Sequence, residues 1–527
     1  MTQRGVCTGC LGLVLLVPSW SVLAQTNTPD SPAGLCSGRF PPVTCVAGRH
    51  APSADVVAPT VAAPVAAKPA SVNATSASPS QPGPSTAKGY GAGTEDTEPL
   101  PLSKDELFGT TTKAGDVTAK KPSAVSFKGF VENETAYTSA DPVHWSRAVT
   151  YLQVAASGQI NENVKWKATV RGDVDPIYIW SNFYNDDVKK DERTGFLFEE
   201  TYVDASVGDW DFRFGRQQII WGEVVGLFVA DVVSAQNQLE FILPPFDIIR
   251  IPQWAARGEY FFGDSHLELV WIPYPTYNNI GKPGADFYPI QPSSAPPGFT
   301  QSFLGEQIPD RNLSHTNYGV RLSTLKSGWD VSGFYYSSED AAPTFNQTVL
   351  SSSTPTVEYQ AVHNRIWQAG GTVGKAFGSV VFHAEGVYTS GREYQVTTLT
   401  TPNGVVPQNT FEYIFSADFT LPKDLFLNVQ LFQNIFFDHD PNLIFDAYET
   451  GASILLRGKI GANLEPEILW IQGLNQGDSL IRPRLTWRPA TNWRVAFGFD
   501  ILNGPPNTVF GRFADRDRVY GEFRYDF

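Results

Sequence analysis

After its first 24 residues the sequence lacks any uninterrupted apolar stretch long enough to cross a bilayer as a helix. If the chain spans a membrane, it therefore does so with strands, as a barrel. Methionine is almost absent, at one residue in 527, whereas aromatic residues make up 13% and there are 45 Gly and 39 Pro. Abundant aromatic and turn-forming residues favour strands joined by turns over helices, so the composition predicts an all-β fold.

Positive charge is scarce as well. The 39 Lys and Arg residues are outnumbered by 54 Asp and Glu residues, which gives a net charge of -15. Nucleic-acid binding depends on a basic surface, so the charge balance argues against a nucleic-acid partner. A negative charge of this size is ordinary for a surface protein that stays soluble while it crosses the periplasm.

The first residues have the three-part pattern of a secretory signal. Arg4 supplies the basic start, Leu11–Val17 is the apolar run, and Val22-Leu23-Ala24 is the small-residue end. We expect a signal peptide over residues 1–24, with cleavage after Ala24. A retained membrane anchor is disfavoured because the apolar run is too short to span a bilayer.

Cysteine is rare, with four residues, of which Cys7 and Cys10 fall in the predicted signal peptide. Cys36 and Cys45 remain after export, and the oxidising periplasm allows them to close a small disulfide loop. A metal site is the alternative, although His50 is the only histidine near the pair. We interpret the pair as structural.

Residues 25–122 are dominated by Pro, Ala, Ser and Thr, as in Val61–Pro69. Such a segment buries too little apolar surface to offset the conformational entropy that ordering costs. The composition therefore predicts a disordered periplasmic leader, followed by a folded domain over residues 123–527.

Beyond Ser123 the sequence consists of segments of about ten residues, typical of a membrane barrel, in which apolar and polar side chains alternate. Residues 164–175 and 410–421 are clear examples, each with one apolar and one polar face. A soluble sandwich also alternates, but the last strand distinguishes the two. Its apolar face ends on the terminal Phe527, which resembles the assembly signal of Gram-negative outer-membrane proteins. We expect the barrel-assembly machinery and outer-membrane lipids as partners.

Counting these segments predicts an antiparallel transmembrane β-barrel of about 18 strands, or 16 if two weak segments fail. The predicted strands begin near Val125, Ser146, Val164, Leu197, Trp210, Gln253, His266, Thr316, Trp329, Arg365, Val380, Phe411, Leu425, Phe445, Asn463, Asp478, Trp493 and Arg518. Connections then alternate between short periplasmic turns and long extracellular loops.

One long connection, Gln217–Pro252, is too apolar to be left in water at low cost, so we expect it to fold into the barrel. Val224–Gln238 is predicted to carry a helical turn or two, and Pro244-Pro245 to force an extended return. Charged residues of both signs lie within this loop and on either side of it. They are the candidate constriction residues: Arg213, Arg216, Glu223, Asp231, Glu240, Asp247, Arg250 and Arg257. They either form a selectivity filter or pair to anchor the loop.

Two further interpretations stay open. Apolar loop residues such as Leu227, Phe228 and Phe246 suit either a path for hydrophobic solutes or the core of a plug. His266 with Glu268, and His383 with Glu385, alternate onto the lumen face, where metal binding or proton relay is conceivable but lacks a third ligand at a defined spacing. Eight tryptophans are predicted to lie in the barrel wall and its interface belts: Trp166, Trp210, Trp254, Trp271, Trp329, Trp367, Trp470 and Trp493.

Four motifs around this loop, Phe212–Gln217, Trp221–Glu223, Leu243–Asp247 and Arg250–Ala255, resemble an uncharacterised family of proteobacterial outer-membrane proteins. That family is a domain-of-unknown-function family described as porin-like. The resemblance extends over Ser123–Phe527 and is sharpest in Phe212–Ile272. It implies a porin-like barrel and no particular substrate.

Together these observations predict a channel in the bacterial outer membrane that passes small solutes, hydrophobic organics among them, passively or with weak selectivity. We expect no catalytic residues, no metal and no cofactor. One alternative is a closed structural barrel that binds periplasmic or surface proteins, and another is an outer-membrane enzyme that uses lumen His and Glu. A homo-oligomer stays open, because nothing in the sequence determines a subunit interface.

Overall fold

The computed structural model describes residues 125–224, 226–291, 298–351 and 353–527. The predicted signal peptide, the leader and its two cysteines lie outside these residues. Within them, the structure is almost entirely strands and loops, and none of the described helices is long and apolar enough to cross a membrane.

The strands are β1 (Val125–Thr138), β2 (His144–Arg147), β3 (Thr150–Asn161), β4 (Val164–Val174), β5 (Thr194–Val207), β6 (Trp210–Gln217), β7 (Ala235–Gln236), β8 (Arg250–Ile251), β9 (Gln253–Phe262), β10 (Ser265–Tyr274), β11 (Thr300–Phe303), β12 (Asn317–Lys326), β13 (Trp329–Glu339), β14 (Thr344–Leu350), β15 (Thr356–Val362), β16 (Arg365–Phe377), β17 (Val380–Ser390), β18 (Glu393–Gln395), β19 (Val405–Pro407), β20 (Asn409–Leu421), β21 (Leu425–Phe437), β22 (Tyr448–Arg457), β23 (Leu464–Gly473), β24 (Ser479–Ala490), β25 (Trp493–Asn503) and β26 (Arg518–Asp526). In the described part of the chain, three short α-helices lie in loops: α1 (Ile177–Trp180), α2 (Asp186–Glu192) and α3 (Phe246–Ile249). Single 3-10 turns occupy Leu313–His315, Pro402–Gly404 and Gly511–Phe513.

Eighteen of these strands form one closed antiparallel barrel, in the order β1, β3, β4, β5, β6, β9, β10, β12, β13, β16, β17 and β20 to β26. The barrel closes where β26 pairs with β1, in a register that runs from Phe130 opposite Asp526 to Thr138 opposite Arg518. Closure leaves no unpaired strand edge, which a bilayer requires of any sheet that spans it. The predicted 18-stranded barrel is confirmed.

The predicted strand positions agree closely with the structure. The largest displacement is at Ser146, which lies in the short strand β2, whereas barrel strand β3 begins at Thr150. Connections alternate in length as expected, and the short ones include Ser327-Gly328 between β12 and β13. Both of these residues have a positive φ, 53° and 73°, which is the type I′ turn whose twist matches a hairpin. The short turns define the periplasmic end and the long loops the extracellular end.

The outer face of the barrel is apolar and the inner face is polar. On β20, Phe415 is 56% exposed, whereas its inward neighbours Ile414 and Ser416 are buried. Exposed aromatic residues concentrate near both ends of the strands, with Trp329, Phe377, Trp493 and Phe527 near the short turns and Trp254, Trp271, Tyr318, Trp367 and Tyr448 near the long loops. A closed barrel with an apolar belt between two aromatic girdles belongs in the bacterial outer membrane.

Candidate functional site

The loop between β6 and β9, residues 218–252, lies inside the barrel, as predicted. Its large apolar side chains are almost fully buried, with Trp221 0% and Ile219 1% exposed. They join one continuous core with inward residues from strands around much of the barrel: Phe334, Val387, Ile414, Phe432, Ile471, Leu480 and Leu502. Burying a single side chain of this size stabilises a fold by roughly 1.5–3 kcal/mol, which explains why the loop leaves the water outside.

The conformation of the loop differs from the prediction. The described part of Val224–Gln238 contains no helix, and the helical turn α3 lies further along, directly after Pro244-Pro245. The N–H groups of Ile248 and Ile249 both reach the carbonyl of Pro245, at 3.0 and 2.9 Å. Proline suits the first turn of a helix because its missing N–H has no partner there in any case. An extended return follows only at β8, which pairs with β7.

The described part of Val224–Gln238 instead curves around a carboxylate of the barrel wall. The carboxylate of Glu385, on β17, accepts hydrogen bonds from the N–H groups of Glu223, Val224 at 2.8 Å and Ala230 at 2.9 Å. Three donors gathered on one buried carboxylate hold the loop in a curve that a helix cannot follow. The alternation of polar and apolar residues predicted that Glu385 faces the lumen, but it did not predict that Glu385 binds the backbone of the loop.

The side chain of Glu223 makes a second contact with the same side of the wall. Its carboxylate accepts a hydrogen bond from Thr372 at 3.1 Å and lies 3.5 Å from Arg321 Nη2 and 3.7 Å from His383 Nδ1. Burial alone opposes ionisation of Glu223, but the His383, Arg321 and Thr372 side chains outweigh it and hold its pKa below the ordinary value. Glu223 and Glu385 together form what we call the β17 anchor.

A second anchor holds the other end of the loop. Glu240 Oε1 lies 2.9 Å from Arg147 Nη1, and its other oxygen contacts Arg518 of β26. Glu240, Arg147 and Arg518 are all buried. We call these three residues the β26 anchor. Between the two anchors, Asp231 pairs within the loop with Arg250 at 2.8 Å.

The remaining candidate residues lie on the wall or outside the described atoms. Arg213 pairs with Asp204 of the neighbouring strand at 2.6 Å. Arg257 contacts Glu259 and lies 3.6 Å from Glu268, which accepts a hydrogen bond from Trp221 Nε1 at 3.1 Å. Arg216 stands in register with Thr201 and Trp254. The side chain of Asp247 lies outside what the structure describes.

Of the candidate residues, Glu223 and Glu240 therefore attach the loop to the wall, and Asp231 pairs with Arg250 within the loop. Arg213 and Arg257 pair with other residues of the wall. Sequence reasoning missed Arg147, Arg321, Thr372 and Arg518, which supply the wall side of the anchors. Inward position in the alternation is the only signal they carry, and many other polar residues share it. Because these residues lie far from the loop in the sequence, local patterns do not predict that they contact it.

The two His and Glu pairs lie on lumen-facing positions, as predicted. His383 is 3.9 Å from Asp418 as well as close to Glu223, and Glu385 belongs to the β17 anchor. Within residues 125–224, 226–291, 298–351 and 353–527, no group of three or more His, Cys, Asp and Glu side chains is arranged to hold a metal ion.

The extracellular loops meet above the barrel in a separate cluster, centred on Asp286. This carboxylate lies 3.1 Å from His144 Nε2 and 3.0 Å from Arg516 Nε, and accepts a hydrogen bond from the Tyr184 hydroxyl at 2.7 Å. We call these four residues, with the adjoining pair Tyr178 and Glu192, the outer cap. The cap joins four loops that the sequence does not connect.

No curated protein matches the chain. Similar solved structures include OccAB1 of Acinetobacter baumannii (TM-score 0.48, 8% identity, covering 76% of this chain and 96% of that one) and the outer membrane protein OpdK of Pseudomonas aeruginosa (0.45, 9%, 76% and 99%). Salmonella typhi OmpF, in a complex with daunomycin, is similar at a TM-score of 0.38 and 11% identity, covering 76% of this chain and 97% of that one.

The sequence also matches the model of a protein family, from strand β3 to the C-terminal residue. The model is described as "Protein of unknown function (DUF1302)" and matches residues 151–527, well over half of the chain. The resemblance found around the loop motifs is thus confirmed, and the protein belongs to this family of unknown function.

Proposed function

We propose that the protein is a channel that passes small solutes passively or with weak selectivity, and that the loop of residues 218–252 is its constriction. The observation that carries the proposal is the attachment of this loop to the wall at separated points. It leaves the wall between β6 and β9, reaches β17 through Glu385, and reaches β26 through Glu240. Since β17 is the eleventh barrel strand and β26 the eighteenth, the loop crosses the lumen.

The polar inner wall supports a water-filled passage through the barrel. Ion pairs follow the lumen face below the loop, for example Arg484 with Glu522 at 2.6 Å and Arg488 with Glu465 at 3.1 Å. Charged side chains of this kind are stable on an inner wall only where water or a partner solvates them. The proposal involves no covalent step and no cofactor, because binding and passage depend on loop and wall side chains alone.

A closed structural barrel is the second candidate, and one observation favours it. The apolar residues of the loop pack in one core with wall strands as distant as β13 and β25, which resembles the interior of a plug. In that case the loop seals the barrel, and the protein functions by binding other proteins at its periplasmic and extracellular ends. The core also argues against a path for hydrophobic organics along this face of the loop, because its apolar side chains already pack against one another.

Single-channel conductance in planar bilayers tests the proposal. We would compare the refolded full-length protein with a variant in which residues 224–247 are replaced by a short Gly/Ser linker. A conducting intact protein whose current increases in the variant supports a constriction. A silent intact protein and a conducting variant would show that the loop is a plug, and would favour the structural barrel.

We also propose that the C-terminal strand is the element that the barrel-assembly machinery recognises. Phe527 exchanges two backbone hydrogen bonds of 2.9 Å with Gly129 and directs its half-exposed ring outwards. The ring is therefore available to another protein before the barrel closes. Phe527→Ala is expected to lower the amount of protein in the outer membrane several-fold in cells, while Phe523→Ala, on the same face, serves as the matched control. Equal yields from both variants and the parent would contradict this role.

A further inference from the structure

A groove lies on the outer, lipid-facing side of the barrel, towards the periplasmic end. It has a volume of about 440 Å³ and crosses strands β13, β16, β17, β20 and β21. This volume is within the range of small-molecule sites, roughly 300–1,000 Å³. The lining is mostly apolar and includes Val373, Phe382, Ala384, Phe415, Ala417 and Leu431.

Two alanines form the floor of the groove. Residues that stand directly opposite each other on neighbouring strands point to the same face of a sheet. Ala417 stands between Phe382 and Val429 in this way. Ala384 lies in the next row, opposite Phe415. A methyl group beside larger side chains leaves a hollow in the outer face, with the two phenylalanine rings as its walls.

A lysine lies at the periplasmic end of the groove. Lys375 stands on the outer face between Trp329 and Phe382, and its strand ends two residues later at Phe377. Its Nζ donates a hydrogen bond to the carbonyl of Ser327 at 2.6 Å and lies 5.2 Å from the centre of the Trp329 ring. An ammonium has three N–H donors, so this bond leaves capacity for a further acceptor. Among the described residues that line the groove there is no Asp or Glu.

From this arrangement we propose that the groove binds one glycerophospholipid of the inner leaflet, with an acyl chain over the two alanines and the phosphate beside Lys375. Lysine binds phosphate as a point charge, and Trp329 belongs to the aromatic girdle that marks the headgroup level. The lipids at the periplasmic surface are glycerophospholipids, whereas lipopolysaccharide lies in the outer leaflet. The inference does not depend on whether the barrel conducts.

A second copy of the chain fits this groove less well than a lipid does. A two-fold contact brings the same surface of both copies together, so one hollow would face the other and the two Lys375 ammonium groups would repel each other. A flexible acyl chain can follow the hollow. Because the surroundings are themselves apolar, its gain there is van der Waals contact with the alanines and phenylalanines.

Native mass spectrometry of the full-length protein, extracted from outer membranes in detergent, tests the role of Lys375. The probes are phosphatidylglycerol and a diacylglycerol with the same acyl chains, each added at the same concentration. We expect the parent to retain one phosphatidylglycerol about fivefold more often than the diacylglycerol, which has no phosphate. Lys375→Gln should abolish this preference. Lys165→Gln, which changes an exposed lysine at the periplasmic end of β4, is the matched control and should keep it.

Two further variants test the hollow. Ala384→Leu and Ala417→Leu each fill its floor, and either one remains informative if the other does not fold. We expect each to reduce retention of both probes about tenfold, because the acyl chain loses its van der Waals contacts. Ala168→Leu, on the outer face of β4 and outside the groove, is the matched control and should retain both probes as the parent does.

Four outcomes would overturn the proposal. Equal retention of the two probes by the parent would exclude Lys375 as a phosphate ligand. Unchanged retention in both filling variants would exclude the groove as the site. A parent that retains added lipid A in preference to phosphatidylglycerol would place the ligand in the outer leaflet. A dimer that dissociates in the filling variants would make a second copy the occupant.

Discussion

The β17 anchor inside the barrel and the outer cap above it each contain a glutamate, yet the pKa values of these two glutamates shift in opposite directions. Glu223 in the β17 anchor is surrounded by Arg321, Thr372 and His383, and its pKa lies below the ordinary value despite burial. Glu192 in the outer cap is buried with the Tyr178 hydroxyl as its hydrogen-bond donor, and burial raises its pKa to about 8. The Glu223 side chain is 20% exposed and faces Arg321 and His383, whereas Glu192 is 8% exposed and accepts from a neutral hydroxyl. Burial and partners together therefore make one glutamate an anion and the other an acid.

The two regions should therefore respond to pH in opposite directions. A carboxyl group with a depressed pKa contributes stability above its unfolded pKa, and that contribution is lost as pH falls through the folded value. A carboxyl group with a raised pKa contributes most below its unfolded value, and the contribution is lost as pH rises. For Glu192 the loss spans the range from 4.5 to about 8. Acid thus loosens the β17 anchor, whereas a rise in pH from 4.5 to about 8 loosens the outer cap.

The largest effect is expected from breaking the β26 anchor. Glu240→Ala removes the partner that Arg147 and Arg518 share and leaves them with Glu134 and Asp500, so we expect a cost of up to about 3–5 kcal/mol, the range for a buried ion pair that loses one member. We expect a markedly lower temperature for the loss of the folded, heat-modifiable form on gels. Glu162→Ala, in an exposed periplasmic turn, is the control. An unchanged transition in Glu240→Ala would show that this anchor does not hold the fold.

A smaller effect is expected at the β17 anchor. Glu385→Gln keeps a carbonyl acceptor but loses the charge that gathers three backbone N–H groups, and bonds to charged groups are worth roughly 1.5–3 kcal/mol. We expect larger and noisier single-channel currents with little loss of the folded form. Glu162→Gln, in the exposed turn between β3 and β4, should leave the current as in the parent. Identical current traces in parent and Glu385→Gln would contradict the anchor.

The outer cap gives the sharpest pH test. Glu192→Gln mimics the protonated carboxyl, so it should remove the pH dependence of loop 175–193 between pH 4.5 and about 8. Trypsin cleavage at Lys189 and Lys190 measures this, since both lie in α2 beside Glu192. For each protein, the ratio of cleavage rates at pH 9 and pH 7 is divided by the same ratio for a peptide standard, which corrects for the pH dependence of trypsin itself. We expect this corrected ratio to exceed one in the parent and to equal one in the variant. A corrected ratio above one that persists in Glu192→Gln would exclude Glu192 as its source.

The smallest effect is expected for Glu223. Glu223→Gln retains the Thr372 hydrogen bond and loses the attraction of Arg321 and His383, a change on the order of 1 kcal/mol. In the parent, current should increase as pH is lowered below about 4.5, the usual range of a glutamate. The variant should already have the larger current at pH 7 and a weaker acid response. A parent current that decreases on acidification would show that protonation of Glu223 does not loosen the loop.

Much of the barrel could be predicted from the sequence because lipid and lumen impose a two-residue period on every spanning strand. Alternation located β4, β20 and β26 to within a few residues, and it placed His383 and Glu385 on the lumen face. The inward loop was predicted for a related reason, since its apolar content is incompatible with water. Its internal helix was predicted wrongly because local propensity favours a helical turn in Val224–Gln238, whereas the backbone there curves around the carboxylate of Glu385, more than 150 residues away.

The sequence by itself determined the strand periodicity, the sidedness of the wall and the inward position of one long loop, because each follows from local patterns of polarity. Tertiary structure alone decided which charges meet. Arg518 and Glu240 are 278 positions apart in the chain, and only closure of the barrel between β26 and β1 brings them together. Ion pairs depend on distances of a few ångströms between segments that are remote in the chain, and the pattern of polar and apolar residues along a sequence does not give such distances.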